Sequence, residues 1–189
     1  MQTNKFYCLT ILFFAFALTC GASIKNTLPP DVQRDVAKIT KKTVEQYTKE
    51  GWRVMPGDKV AFEDQVEQIV IYRYFLSDRF IGVEGNGVDS DMELARQMAS
   101  TQAFVQLAEL LNARVESETL QIMKTREMSD EEAHNFTSLV LSSIIESEES
   151  FASSVLEFTF RRTDKHGKSE IQSFVFYDLN DLLSRLGQK

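Results

Sequence analysis

Beyond residue 20 the chain has no cysteine; its two, Cys8 and Cys20, both fall near the N-terminus. An intradomain disulfide, a thiolate nucleophile and a Cys-based zinc site are therefore excluded from the body of the protein. Histidine is almost as scarce, with only His134 and His166. Basic runs never exceed the pairs Lys41-Lys42 and Arg161-Arg162, and the net charge is −7. An acidic body without a basic stripe repels phosphate backbones, which argues against nucleic acid as a partner.

The one long apolar run is Phe6–Leu18. It follows the polar start Met1–Lys5 and precedes the small residues Cys20, Gly21 and Ala22. These are the three regions of a secretory signal, expected over residues 1–22. The run is shorter than the roughly 20 residues that span a bilayer. It is apolar all round, unlike a helix packed on a core. Removing this leader, whose one charge is Lys5, takes the net charge to −8. Two fates are open. Cleavage after Ala22 releases a free protein, whereas lipidation of Cys20 tethers it to a membrane leaflet. Ala17-Leu18-Thr19 put Leu two places before the cysteine, where the usual lipidation signal has Leu three places before it and Gly or Ala next to it.

The mature part suits one domain, residues 31–189, after a linker at 23–30. Leu28-Pro29-Pro30 stops one segment and can open the next. Val32, Val36, Ile39, Thr43 and Tyr47 recur at helical steps, so a helix is expected over 31–50, with Gly51 as terminator. A short extended piece over 52–55 and a Pro56-Gly57 turn follow. A second helix is expected from Asp58 to Leu76, with Phe62, Val66, Ile69 and Arg73 on one face. Its stretch Ile69–Phe75 could instead be strand.

Arg79–Gly85 alternates and reads as strand. The clearest helix runs over 91–115, capped by Asp89 or Ser90. Leu94, Met98, Thr101, Val105, Ala108 and Leu111 form one stripe, with Ala95, Ala99 and Ala103 beside it. Small residues there let a sheet or another helix approach closely, so this alanine-lined helix is expected to be the central core helix, buried on a sheet. Residues 116–128 read either as more helix or as a short strand at 115–119. Ser129 to Glu132 is a capping box for a helix through Phe136, Leu139, Val140, Ser143 and Ile144. The period then changes to two. Leu156, Phe158 and Phe160, followed by a turn at 163–168 and Ile171–Tyr177, make a β-hairpin. A short helix is expected over 180–186. The fold class is α+β: helices on a small antiparallel sheet, with a long Ala-rich central helix and a C-terminal hairpin.

Several patterns invite a chemical reading. Gly82, Gly85 and Gly87 lie between a strand and a helix, as in a phosphate loop, but the spacing differs and no P-loop Lys follows. The simpler account is a turn needing positive φ. Asp89, Asp91 and Glu93 could ligate calcium, yet helix capping uses them with fewer assumptions. His134 stands near acids without the second His of a zinc helix, and His166 belongs to the hairpin turn. Neither has a Ser or Cys partner legible in sequence. Glu146, Glu148 and Glu149 could pair for glycosidase work, but such runs are commonly a solvated helix end. Phe158, Phe160, Phe174, Phe176 and Tyr177 could line an apolar site or fill the core. No catalytic, cofactor or metal residue is assigned.

Gly51-Trp52-Arg53-Val54-Met55-Pro56-Gly57, the Gly-rich strand end, and the helix with Glu93-Leu94-Ala95-Arg96-Gln97-Met98-Ala99, Ala103–Leu111 and Val115 together resemble the LPP20 / FlgT-N-like family of exported envelope proteins. The resemblance covers about residues 50–177. It implies a non-catalytic α+β module in the periplasm or outer membrane of a Gram-negative cell, with an envelope protein as partner. The alternative from the residues alone is a carrier that holds a small apolar molecule or lipid between helices and hairpin. Oligomeric state is not specified by the sequence.

Overall fold

The computed structural model describes residues 20–126, 129, 131, 132, 135 and 155–180. The leader before residue 20, His134, the helix through Phe136 and Ile144, the cluster Glu146, Glu148 and Glu149, and nearly all of 180–186 lie outside the described residues.

The element order is α1 (Cys20–Thr27), α2 (Pro30–Lys49), β1 (Arg53–Val54), α3 (Phe62–Val70), a π-helical segment (Ile71–Phe75), β2 (Phe80–Asp89), α4 (Met92–Arg126), β3 (Val155–Thr163) and β4 (Ser169–Asp178). The four strands form one antiparallel sheet in the order β1-β3-β4-β2. The expected α+β class therefore holds. The stretch 23–30, read as a linker, instead carries the end of α1. Ile24 and Leu28 pack on the core there, and Lys25 pairs with Glu67 at 2.6 Å.

Local chemistry sets most boundaries. Pro30 opens α2 at a position whose N–H would have no partner. At its other end Gly51 adopts φ +89°. Its N–H reaches the Thr48 carbonyl and the Trp52 N–H reaches that of Tyr47, the two bonds of a Schellman cap. Pro56-Gly57 makes a type II turn, with Gly57 at φ +91° and the Asp58 N–H on the Met55 carbonyl.

The second helix begins at Phe62, later than expected, and its end widens into a π turn closed by the Leu76 N–H on the Ile71 carbonyl. The widened turn buries Ile71 and Tyr72. Arg73, expected on the buried face, is exposed.

The sheet is covered on both faces. Alternation along each strand sends one set of residues to either side. Leu156, Phe158, Phe160, Phe174, Phe176 and Phe80 meet α2, α3 and the π segment. Val83, Ile171, Val175 and Tyr177 meet α4. Central β4 is consequently buried through most of its length, the pattern of a strand with helices on both sides.

The glycines of β2 do not make a turn; Gly82, Gly85 and Gly87 are all within the strand, none at positive φ. A Cβ on Gly85 or Gly87 would collide with the carbonyl oxygen of Ala99 or Ala95. They exist so that α4 can lie backbone to backbone on the sheet.

This close approach bears out the alanine-lined packing expected of the helix and turns most of the apolar stripe beside it outward, Leu111 alone of that stripe being buried. Ala95, Ala99, Ala103 and Leu107 are 0% exposed, while Leu94, Met98 and Val105 are 46%, 45% and 53% exposed. A surface made of glycine accepts small side chains, so the alanines face inward and the larger residues turn to solvent. Asp91 caps the helix by accepting the N–H groups of Glu93 and Leu94; Asp89 supports it by accepting that of Asp91. The helix continues to Arg126, so the ambiguous 116–126 stretch is helix.

Candidate functional site

α4 lies over β2 and β4 and leaves β3 at its flank. β1 covers only the far end of β3, pairing Arg53 with Arg161 and Val54 with Phe160. It then leaves the row through the Met55–Asp58 turn. The rest of the outer edge of β3 borders a groove of about 500 Å³. Its floor is Glu157, Phe158 and Thr159. One wall is the loop Met55–Val60 with Gln65 and Gln68 of α3, and the other is Met92, Glu93 and Arg96 of α4. Past Arg96 and Glu157 it opens into a shallower trough along Ser100, Thr101 and Phe104.

The walls are held. Buried Gln65 donates from Nε2 to Asp58 Oδ2 and to the Val60 carbonyl, both at 3.2 Å, which fastens the loop to α3. On the other wall Arg96 binds Glu93 through two contacts, 3.0 and 2.5 Å. That pairing lowers the Glu93 carboxyl below the ordinary carboxylate range and raises the guanidinium, each chiefly through the shared hydrogen bonds. At the floor, Ser100 Oγ and Ser173 Oγ both donate to Glu157 Oε1, at 2.5 and 2.6 Å. The carboxylate thus ties the flank of α4 to β4 and β3.

Of the described residues singled out by sequence, Glu93 and Phe158 line the groove and the others lie elsewhere. His166 is exposed in the hairpin turn, with its backbone N–H on Asp164 Oδ1. Asp164 accepts the N–H of Lys168 as well, and these backbone bonds hold its carboxyl below the ordinary range. The carboxylates of Asp89, Asp91 and Glu93 are taken up by amides and by Arg96. Among the described residues no three His, Cys, Asp or Glu side chains could hold a metal ion together. Cys20 begins α1. No helix of the described residues is long and apolar enough to cross a membrane.

Of the aromatic set, four residues fill the core between hairpin and helices and Tyr177 lies on the opposite face of the sheet. Phe62 and Phe160 meet edge to face at 4.9 Å; Tyr72 packs on Phe80 at 4.6 Å and on Phe176 at 5.4 Å. The open edge of β3 was missed in sequence. A strand shows its alternation but not how much of its neighbour is present. The signal was the brevity of the 52–55 segment beside a hairpin arm more than twice its length.

No protein family, curated protein or solved structure matches the chain.

Proposed function

We propose that this chain is a non-catalytic, exported cell-envelope module that works by binding another protein. The single observation that carries the reading is the edge of β3 at Val155–Thr159, which no described strand pairs, lying on the floor of a groove with fastened walls. An unpaired edge strand is a template for a second polypeptide. Two further observations support it. The space between helices and hairpin, where a carried lipid would lie, is filled by aromatic rings in contact. Asp58, Glu93, Arg96 and Glu157 of the groove are committed to hydrogen bonds within the fold. Export rests on the leader over residues 1–22 and on the resemblance to LPP20 / FlgT-N-like modules. Cys20 is the attachment point if the mature protein is tethered.

The test is photocrosslinking in intact cells. One probe replaces Lys59 on the groove wall, and another replaces exposed Lys41 on α2. The reading expects a protein-sized adduct from position 59 and none from 41. Adducts of lipid size from position 59 would favour the carrier reading and overturn this one. Intact mass of the mature chain from the same cells separates cleavage after Ala22 from lipidation of Cys20.

A further inference from the structure

We propose that the partner contributes an extended segment, which adds to the sheet as a fifth strand in line with β1, along Val155–Thr159. The proposal rests on the protein-binding reading above and gives it a form.

The backbone alternation fixes which groups are on offer. In an antiparallel pair, successive residues alternate between bonding the partner strand and facing away from it. In the hairpin turn the Asp164 N–H donates to the Lys168 carbonyl at 2.9 Å. The register pairs Arg162 with Glu170, Phe160 with Gln172 and Phe158 with Phe174. Even-numbered residues of β3 therefore bond β4, and odd-numbered residues turn their N–H and C=O to the other side. β1 serves the outward groups at Arg161. Thr159, Glu157 and Val155 remain, three donor–acceptor pairs repeating about every 6.7 Å, the spacing that the same groups have in any added strand.

Among the described residues the row is vacant where those groups face it. β1 occupies its first two positions, and the Met55–Asp58 turn takes the chain out, leaving the groove in its place. β1 already shows that this edge accepts a strand. The opposite edge of the sheet is treated differently. On β2 the outward Asn86 N–H is taken by Gln102 Oε1 at 2.7 Å, and Glu84 stands at the same edge, paired to Arg73. One edge is blunted and the other is left bare by the described residues, which is how a sheet directs strand addition. Alternate side chains of the added strand would meet Val60, Gln68 and Phe158 on one side and Met92, Arg96 and Glu157 on the other. An apolar residue suits the first set and a polar one the second.

The experiment uses the full-length mature chain and a phage-displayed library of random dodecapeptides; the strongest binder is synthesised as the probe. Amide hydrogen exchange is read with and without it. The expected result is new protection at Val155, Glu157 and Thr159, with no change at Gly82 or Val88 of β2. Thr159→Pro removes one outward N–H without touching the ladder to β4. It should weaken the peptide at least about tenfold, which is about 1.4 kcal/mol. Val88→Pro, outward on the other edge, should leave affinity unchanged. Should Thr159→Pro fail to fold, the protection pattern in the unmodified chain decides. Equal affinity in Thr159→Pro, protection confined to β2 or α4, or no binder in the library would each overturn the strand slot. The first two leave the protein-binding reading standing, and the crosslink from position 59 judges that reading separately. A second copy of the chain as occupant would appear as a concentration-dependent dimer that protects the same three amides without peptide, which also overturns the proposal.

Discussion

Gly85 of β2 and Ala99 of α4 touch backbone to backbone: a Cβ on the glycine would collide with the Ala99 carbonyl, and would lie 2.6 Å from the Ala103 amide nitrogen. No flexible side chain stands there to yield. Gly85→Ala must lift α4 from the sheet, and overpacking of this kind costs about 1–3 kcal/mol. Gly51→Ala makes the contrast, since φ +89° is strained for alanine but nothing lies within 4 Å. It should cost about 1 kcal/mol. Urea unfolding of both variants checks this; equal losses would remove the close-approach account.

The same contact decides which face of α4 is core. Ala99→Leu adds three carbons where there is no room and should cost at least about 2 kcal/mol. Met98→Ala, one residue along on the exposed face, should stay within about 0.5 kcal/mol. The comparison is again by denaturant midpoint. A larger loss for Met98→Ala would restore the stripe read from hydrophobicity alone.

That stripe shows where the sequence was legible and where it was not. Gly51, Pro56-Gly57, Ser129 with Glu132, and the turn at Gly167 act through bonds within a few residues, and each appears as read: the Ser129 N–H and Oγ both reach Glu132 Oε2, for instance. The inward face of α4 depends on partners eight to fourteen residues earlier in β2. Periodicity ranks residues by apolarity, so it set Leu94, Met98 and Val105 on the main stripe and the three alanines beside it, although their size already marked a close approach. The pairing of Gly85 and Gly87 with Ala99 and Ala95 was present in the sequence but only a three-dimensional match exposes it. The groove is less legible still, because it is defined by the length that β1 lacks.

Tyr47 is half-buried among Trp52, Phe62 and Phe160, and burial, followed by the Glu84 charge, pushes its phenol up to about 12. An unfolded tyrosine titrates near 10. The raised folded value means that the stability contributed by the neutral phenol is intact below about pH 10 and is lost between about pH 10 and about pH 12. Tyr47→Phe should therefore lose less stability over that window than the unmodified chain does. Denaturant midpoints measured across it decide the matter; parallel curves would contradict the assignment.

Trp52, the sole tryptophan, is 4% exposed beneath the Arg162 guanidinium, whose carbon lies 4.5 Å from the ring centre. Arg162 is fixed by Glu170 at 2.7 and 2.9 Å. Arg162→Ala should uncover the indole, shift its emission to the red and cost about 1 kcal/mol. Glu170→Gln should give a smaller shift, because the arginine keeps its place over the ring. An unchanged emission maximum in Arg162→Ala would show that the guanidinium does not shield the tryptophan.

The most direct test of an open β3 edge is amide hydrogen exchange in the protein alone. The alternation predicts slow exchange at Leu156, Phe158 and Phe160, fast exchange at Val155, Glu157 and Thr159, and protection at Asn86 from the Gln102 side-chain Oε1. Uniform protection from 155 to 160 in the isolated monomer would mean that the edge is already covered, and the account of how this protein meets its partner would fail.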